Sequence, residues 1–198
     1  DKTFKMLRGA MELLNVGDPR WMVTDVGPVI DKKALESLQA HEAFLSAHAV
    51  CLYKSPISNA LEGTFCAPQV HEIRDLSLLR QETFGPILHV LRYKRKELPS
   101  LIDEVNAWGY GLTFGVHSRI NTTIDDVSRQ IQAGNIYINR NTVGAVVGVQ
   151  PFGGVGLSGT GPKAGGPHYL LRLCQEQVVS TNTTAMGGNA SLMALDSE

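Results

Sequence analysis

Cysteine is scarce in this chain: there are 3 among 198 residues, Cys51, Cys66 and Cys174. The three are widely spaced and form no Cys-x-x-Cys pair, so the sequence offers neither a disulfide framework nor a cysteine zinc site. Unpaired cysteines are typical of a reducing compartment, and we therefore expect a cytoplasmic protein. Because each has apolar neighbours in sequence, we also expect the thiols to be buried and unreactive.

Two further absences narrow the range of functions. No apolar run approaches the ~18 residues of a membrane span, and no signal peptide is evident. The formal net charge is -1, which offers no basic surface for nucleic acid or an acidic membrane. The one basic run, residues 92–96, is short and is better explained as a solvated loop than as a binding patch. His41 and His48 lie on one face of a predicted helix but seven positions apart, too far to bind one metal ion together. The other histidines also lack the spacing of metal ligands, so no metal site is predicted.

The pattern of apolar residues predicts an α/β fold. Asp31 is placed to cap an amphipathic helix, and strands alternate with ten-residue helices after residue 87. This alternation favours a mostly parallel sheet flanked by helices, with ligands beyond the carboxyl ends of its strands. Helices are predicted at residues 4–14, 32–47, 98–108 and 122–132, and strands at 49–53, 64–73, 87–93, 112–117, 135–139 and 170–179.

Residues 140–167 are rich in glycine and show little periodicity, which predicts a long ordered loop of the kind that often carries function. Within this loop, residues 154–159 satisfy the dinucleotide pattern Gly-x-Gly-x-x-Gly. That pattern has to leave a strand and open a helix. Thr-Gly-Pro follows at residues 160–162 and does not continue readily into a helix. We therefore interpret these glycines as loop geometry.

Two motifs carry the functional information. Gln-Glu-Thr-Phe-Gly-Pro at residues 81–86 places a carboxylate and an aromatic ring two positions apart, just before a predicted strand. Downstream, Asn-Arg-Asn-Thr-Val-Gly-Ala-Val-Val-Gly-Val-Gln-Pro-Phe-Gly-Gly at residues 139–154 is a glycine-rich loop with one large ring, and Gly-Gly-Pro-His-Tyr follows at residues 165–169. In combination they resemble the C-terminal part of the catalytic domain of Δ1-pyrroline-5-carboxylate dehydrogenases, a branch of the aldehyde dehydrogenase superfamily. The likeness is strongest to the dehydrogenase half of the bifunctional bacterial proline utilization A proteins.

The resemblance implies a fold, a reaction and partners. Residues 1–169 would be part of the catalytic domain, and residues 170–198 a strand and tail, the strand joining an intersubunit sheet of a homo-oligomer. The implied enzyme oxidises L-glutamate γ-semialdehyde, the ring-opened form of pyrroline-5-carboxylate, to L-glutamate with NAD⁺ in proline catabolism. FAD would be needed only on the proline dehydrogenase half of a bifunctional parent.

The same resemblance implies what the chain does not supply. In the family a cysteine thiolate attacks the aldehyde, hydride passes to the nicotinamide and water cleaves the thioester. That cysteine belongs to a Gly-Gln-x-Cys-Ser type motif, which is absent from this sequence and by alignment would precede residue 1. The general-base glutamate and the dinucleotide-binding domain would lie further upstream. We therefore expect no catalytic residue in this chain, which would position ligands and be inactive alone.

Glu82 and Phe84 are the predicted cofactor-binding residues. A carboxylate can accept hydrogen bonds from both ribose hydroxyls, and the resemblance implies this role for Glu82 and a wall against the nicotinamide for Phe84. The alternatives are that Glu82 pairs with Arg80 or caps a turn, and that Phe84 belongs to the core. Gly85 and Pro86 are expected only to turn the chain into its strand.

Gly144, Ala145 and Phe152 are the predicted substrate-binding residues. Successive backbone N–H groups in a glycine turn can hold a carboxylate without any side chain, and the resemblance implies that Gly144 and Ala145 do so. The family commonly has serine where Ala145 stands, so the anchor in this chain would be purely main-chain. Phe152 would pack on the methylene groups of the substrate, or alternatively fill the underside of the loop.

Two other functions remain open from the sequence. The parent protein could oxidise a different carboxylated aldehyde, such as another semialdehyde. The chain could instead be a non-catalytic module with an aldehyde dehydrogenase-like fold, kept for assembly. Retention of Glu82, Phe84, Gly144 and Phe152 favours the enzyme, because a degenerate copy has no need of a cofactor wall and a substrate wall.

Overall fold

The computed structural model of the chain describes residues 2–79, 81–143, 146, 148–159, 161–182 and 185. The chain forms two compact units, residues 1–105 and residues 106–198. The boundary expected between residues 169 and 170 stays a prediction. None of the helices in these described stretches is both long and apolar enough to cross a membrane.

Two amphipathic helices begin the first unit. Helix α1 spans Lys2–Glu12 and helix α2 spans Lys32–His48. Asp31 caps α2 as predicted, because its carboxylate accepts a hydrogen bond from the Ala34 N–H at 2.7 Å. The apolar stripe of α2 faces inward, and its Leu38 and Leu45 are fully buried.

A three-stranded sheet completes the first unit. Its strands are β1 (Val50–Lys54), β2 (Gln69–Ile73) and β3 (Ile87–Leu91), in the order β1-β2-β3. Strand β2 is antiparallel to β1 and parallel to β3. Because β2 is central, nearly all of its residues are buried. The Gln69 N–H also donates to the Pro86 carbonyl at 2.9 Å, so the ladder begins at the end of the 81–86 motif.

The second unit is built around a β-α-β arrangement. Helix α3 (Leu98–Ala107) precedes it in the chain. Two parallel strands, β5 (Thr113–Val116) and β6 (Asn135–Ile138), are joined by helix α4 (Asn121–Gln130), whose Ile124 and Val127 are buried. Two short strands, β4 (Tyr110–Gly111) and β7 (Val155–Gly156), form a separate antiparallel pair.

The predicted α/β class is confirmed, and each helix or strand predicted before residue 140 overlaps an observed one. The largest difference is at residues 64–73, where β2 begins only at Gln69, because Pro68 has no N–H to donate to a ladder. The described strands lie in three sheets with two parallel and two antiparallel pairings, rather than in one mostly parallel sheet.

The strand predicted at residues 170–179 is wrong for this chain. Leu170–Leu173 form a 3-10 helix, and residues 174–182 have no regular secondary structure. An extended segment becomes a strand only when a neighbour takes up its backbone hydrogen bonds, and no described strand of this chain lies beside it. Its place in an intersubunit sheet stays a prediction, and the predicted tail beyond residue 182 falls outside the described residues except for Ala185.

Helix α2 lies directly on the end of the 81–86 motif. A Cβ atom added to Gly85 would lie 2.7 Å from Leu38 Cδ1 and closer still to Cδ2. Leu38 is only 1% exposed, so moving its side chain aside would disturb a packed core. Gly85 is therefore required for close packing and not only for a turn, which corrects the role expected from the sequence.

A pair of histidines joins the same helix to β3. His41 Nε2 on α2 lies 2.9 Å from His89 Nε2 on β3, so the neutral rings share one hydrogen bond. Burial lowers the pKa of His89 to about 4, assisted by His41 and by the nearby His71. Burial also lowers the pKa of His41. Since protonating both rings would place two charges against each other and leave no acceptor, the contact requires at least one neutral histidine.

Replacing Gly85 with alanine should destabilise the protein, because the added methyl group overlaps Leu38. We expect a loss of about 1–3 kcal/mol in the free energy of unfolding, measured in urea. Leu38→Ala alone should also destabilise, by about 2–5 kcal/mol. The double variant should lose less free energy of unfolding than the two single variants lose together, since the shortened side chain makes room for the methyl group. Strict additivity would contradict the contact.

The stability of the protein should fall as the pH drops from about 6.5 to about 4. The folded pKa of His89 is depressed, so the unfolded chain takes up protons first, and the stability present above the unfolded pKa is lost towards the folded one. His89→Gln should flatten the pH dependence of the urea midpoint over this window. His117→Gln, in the second unit, is the control and should leave it unchanged. An unaltered profile in His89→Gln would exclude the histidine pair as its source.

Candidate functional site

The predicted cofactor-binding residues lie side by side on the loop that leads into β3. Glu82 is exposed, and Phe84 is 80% exposed. Thr83 between them is half-buried, so the side chains of Glu82 and Phe84 lie on the outer side of the loop. An aromatic ring this exposed is not part of a core, which excludes the structural alternative for Phe84 within the described chain.

The Glu82 carboxylate is available to a ligand. Of the described residues, none donates a hydrogen bond to it or forms an ion pair with it. Arg80, its alternative partner, lies outside the described residues. An exposed carboxylate two positions from an exposed ring can bind a molecule that combines hydroxyl groups with a flat apolar surface. The pair thus fits the ribose and nicotinamide for which it is predicted.

The loop backbone is held at its C-terminal end, at Gly85 and Pro86. Gly85 packs on Leu38, and the Pro86 carbonyl accepts from Gln69 in the central strand. A cavity of about 300 Å³ lies beside the first motif residue, Gln81, and is lined also by Ser37, Ala40, His41, Phe44 and Leu78. The loop is therefore packed and hydrogen-bonded where it enters the sheet, and open to solvent at Glu82 and Phe84.

The predicted substrate loop in the second unit is described only in part. Gly144 and Ala145 lie outside the described residues, and the carboxylate anchor stays a prediction. Phe152 is half-buried, and its backbone pairs with that of Ala164 in both directions, at 3.1 and 2.9 Å. Half-burial allows one face of the ring to pack on the loop while the other remains accessible. Both uses considered for Phe152 are therefore compatible with its position.

The Gly-x-Gly-x-x-Gly pattern at residues 154–159 does not form a dinucleotide fingerprint. Its middle part, Val155–Gly156, is strand β7, and Gly156 adopts a φ of 61° that favours glycine. A Cβ atom on Gly159 would lie 2.6 Å from the Gly154 carbonyl oxygen, so the segment closes on itself. No helix begins in the described residues after it up to Tyr169. The interpretation of these glycines as loop geometry is confirmed.

The cysteines differ from the uniform burial expected of them. Only Cys66 is buried, whereas Cys51 and Cys174 are exposed. Burial, together with the Glu42 carboxylate, raises the pKa of the Cys66 thiol and keeps it protonated. Cys174 Sγ donates to the Leu170 carbonyl at 3.4 Å. Apolar neighbours in sequence were a poor guide, because Cys51 lies on an exposed part of β1 and Cys174 follows the exposed 3-10 helix.

The histidine pair is the feature that sequence reasoning missed. His41 was compared only with His48 on its own helix, whereas its partner His89 lies 48 positions away on a strand. Even so, no three His, Cys, Asp or Glu side chains in the described parts of the chain could hold a metal ion together. The sequence marks His89 alone, as the one polar residue of an otherwise apolar strand, and does not indicate its partner.

Sequence comparison places the chain among known enzymes. Residues 1–179 match the Aldehyde dehydrogenase family. The chain is 51% identical over 179 residues to the bifunctional protein PutA of Escherichia coli, which covers 87% of this chain and 14% of that protein. It is 36% identical over 169 residues to the 1-pyrroline-5-carboxylate dehydrogenase of Geobacillus kaustophilus, covering 84% of this chain and 32% of that protein.

The solved structures that resemble this chain are of the same two kinds of protein as its sequence relatives. A variant of Bradyrhizobium japonicum proline utilization A (PutA) superposes with a TM-score of 0.87 at 51% identity, covering 93% of this chain and 19% of that chain. A variant of Thermus thermophilus 1-pyrroline-5-carboxylate dehydrogenase superposes with a TM-score of 0.75 at 32% identity, covering 86% and 33%. The chain spans well under half of each of these proteins. With the family match running through most of its length, the chain belongs to the aldehyde dehydrogenase family.

Proposed function

We propose that the chain is the C-terminal part of the catalytic domain of an enzyme that oxidises L-glutamate γ-semialdehyde to L-glutamate with NAD⁺. The observation that carries the proposal is the exposed pair Glu82 and Phe84, adjacent on a loop whose end is packed against α2 and the sheet. The names of the relatives, PutA and 1-pyrroline-5-carboxylate dehydrogenase, support the choice of substrate. An assembly module would gain nothing from an exposed carboxylate and ring.

Glu82 and Phe84 are proposed to hold the nicotinamide end of the cofactor. The family implies a nicotinamide cofactor, which accepts a hydride from the substrate when bound. Glu82 would accept hydrogen bonds from the two ribose hydroxyls, and Phe84 would pack against one face of the nicotinamide ring. Holding the cofactor in this way would restrict its rotation and so lower the entropic part of the barrier.

The second unit is proposed to hold the substrate. Backbone N–H groups of Gly144 and Ala145 bind the α-carboxylate, and the Phe152 ring packs on the methylene groups between that carboxylate and the aldehyde. A main-chain anchor suits a substrate that is recognised by the length of its carbon chain and by its carboxylate. The half-buried position of Phe152 supports this arrangement, because a substrate stem needs an apolar face that solvent can reach.

The nucleophile and the general base are proposed to lie in the part of the parent protein that this chain does not span. The described structure supports this division, because Cys66 is buried as a thiol and the exposed Cys51 and Cys174 belong to no nucleophile motif. The partners of the chain would then be the dinucleotide-binding domain and, in a bifunctional parent, a proline dehydrogenase half that carries FAD. The chain alone would be inactive.

A homo-oligomer is proposed on the exposure of the segment after Tyr169. Leu170, Leu171 and Leu173 are 68–73% exposed, and Val178 and Val179 are at least 80% exposed. A run of apolar residues this exposed is typical of a segment that another surface covers. A second copy of the chain would provide that surface and the missing strand partner.

Loss of the Glu82 carboxylate should lower turnover in the full-length enzyme. We expect Glu82→Ala to lower kcat by about 10- to 100-fold while the KM for the aldehyde changes little, because the ribose is no longer held. Glu82→Gln should fall between the wild type and alanine, since an amide keeps one acceptor. Glu62→Ala, at another exposed position of the first unit, is the control and should change neither constant. An unchanged kcat in Glu82→Ala would remove the ribose role.

The substrate assignment is tested by comparing two aldehydes on the full-length enzyme. Succinate semialdehyde is one carbon shorter than L-glutamate γ-semialdehyde and has no amino group. A pocket that fits the longer stem should prefer it by about tenfold or more in kcat/KM, the effect of roughly one methylene group. Equal or better use of succinate semialdehyde would instead identify a different semialdehyde dehydrogenase. The rate is followed by NADH absorbance.

A further inference from the structure

The side-chain amide of Asn135 grips the loop on either side of Phe152. Asn135 is the first residue of β6, and its Nδ2 donates to the Pro151 carbonyl at 2.9 Å. Its Oδ1 accepts from the Gly153 N–H at 3.1 Å. The two bonded groups belong to the residues immediately before and after Phe152. One planar amide thus spans the residue whose ring is proposed to contact the substrate.

The backbone of Phe152 is held from the opposite side as well. The Phe152 N–H donates to the Ala164 carbonyl at 3.1 Å, and its carbonyl accepts from the Ala164 N–H at 2.9 Å. The Lys163 ammonium donates to the Gly153 carbonyl. Since Pro151 has no N–H, every backbone polar group from residue 151 to residue 153 is hydrogen-bonded. The Phe152 ring is therefore carried on a backbone segment whose polar groups are all engaged within the chain.

The loop also packs tightly against the residue that precedes Asn135. A Cβ atom on Gly134 would overlap the Gly153 carbonyl oxygen and lie 2.8 Å from Gly154 Cα. Residues 151–154 therefore pack directly against Gly134 and Asn135 at the start of β6. Because Asn135 is part of a strand paired with β5, its amide is a fixed reference for the position of the loop.

We propose that Asn135 is a positioning residue that sets the Phe152 ring against the carbon chain of the aldehyde and so determines specificity for it. This rests on the proposed role of Phe152 in substrate binding. Binding the Pro151 carbonyl and the Gly153 N–H together requires one donor and one acceptor in a rigid plane. An amide supplies both, whereas leucine and aspartate do not. Losing the amide leaves the Pro151 carbonyl and the Gly153 N–H without their partner. The pairing with Ala164 remains, but the backbone on which the Phe152 ring is mounted is then held from one side only.

Asn106 provides a matched control in the same unit. Its Nδ2 donates to the Gln130 carbonyl at 2.9 Å and its Oδ1 accepts from the Gln132 N–H at 2.8 Å. Like Asn135, it bridges two backbone groups that flank a single residue, but the loop it holds carries no predicted site residue. Asn106→Leu removes the same number and kind of hydrogen bonds from a different loop.

The test measures KM and kcat for L-glutamate γ-semialdehyde on full-length enzymes carrying Asn135→Leu, Phe152→Ala, both changes, or Asn106→Leu. We expect Asn135→Leu to raise KM by roughly tenfold with kcat little changed, because packing on the substrate stem stabilises the bound ground state and the transition state alike. Phe152→Ala should act in the same direction. The double variant should match Phe152→Ala, since Asn135 acts through that ring.

The outcomes separate this inference from the function on which it rests. A raised KM in Phe152→Ala with a normal KM in Asn135→Leu overturns the positioning role alone. A normal KM in Phe152→Ala overturns the proposed substrate contact and the positioning role with it. An Asn135 effect that persists in the Phe152→Ala background, or an equal rise in KM in Asn106→Leu, would show a general structural effect and overturn the inference.

Asn135→Asp keeps the test decisive if the leucine variant fails to fold. Aspartate has the same size and still accepts from Gly153, but it cannot donate to Pro151. We expect a smaller rise in KM than in the leucine variant, again absent from the Phe152→Ala background. A wild-type KM in a folded Asn135→Asp enzyme would exclude the role of the amide donor.

Discussion

Close backbone approach at glycine is the constraint on which both candidate loops depend. The chain at Gly85 lies directly on Leu38 in the first unit, and the chain at Gly134 lies directly against Gly153 and Gly154 in the second. Neither Gly85 nor Gly134 has a positive φ, so conformational freedom is not the reason for glycine. The missing Cβ lets a candidate loop pack directly on a helix or on the start of a strand.

In each loop the groups that hold the backbone are distinct from the side chains proposed to bind a ligand. In the first unit the backbone ladder to Gln69 and the packing of Gly85 hold the chain, while Glu82 and Phe84 stay exposed. In the second unit Asn135 and Ala164 take up the backbone groups around Phe152. Preorganisation of this kind places binding groups before the ligand arrives, so less entropy is lost on binding.

Much of the fold follows from local patterns, and much of the site does not. Periodicity located the helices and strands because a helix or strand with one buried face must repeat its apolar residues at the period of its backbone. The two motifs indicated Glu82, Phe84 and Phe152 as candidate site residues, but not which residues contact them. Leu38 and Gly85, His41 and His89, and Asn135 and Gly153 are each distant in sequence, and a single sequence carries no signal that pairs them.

The sequence by itself determined the α/β class, the Asp31 cap, the family resemblance and the identity of the groups that can bind ligands, because these depend on residue type and on spacing along the chain. Only the tertiary structure decided that Phe84 is exposed, that Cys51 is exposed while Cys66 is buried, and that Leu170–Leu173 form a 3-10 helix. It also decided which residue holds Phe152. Burial, pairing and close contact arise between segments that meet only when the chain folds, so no local pattern records them.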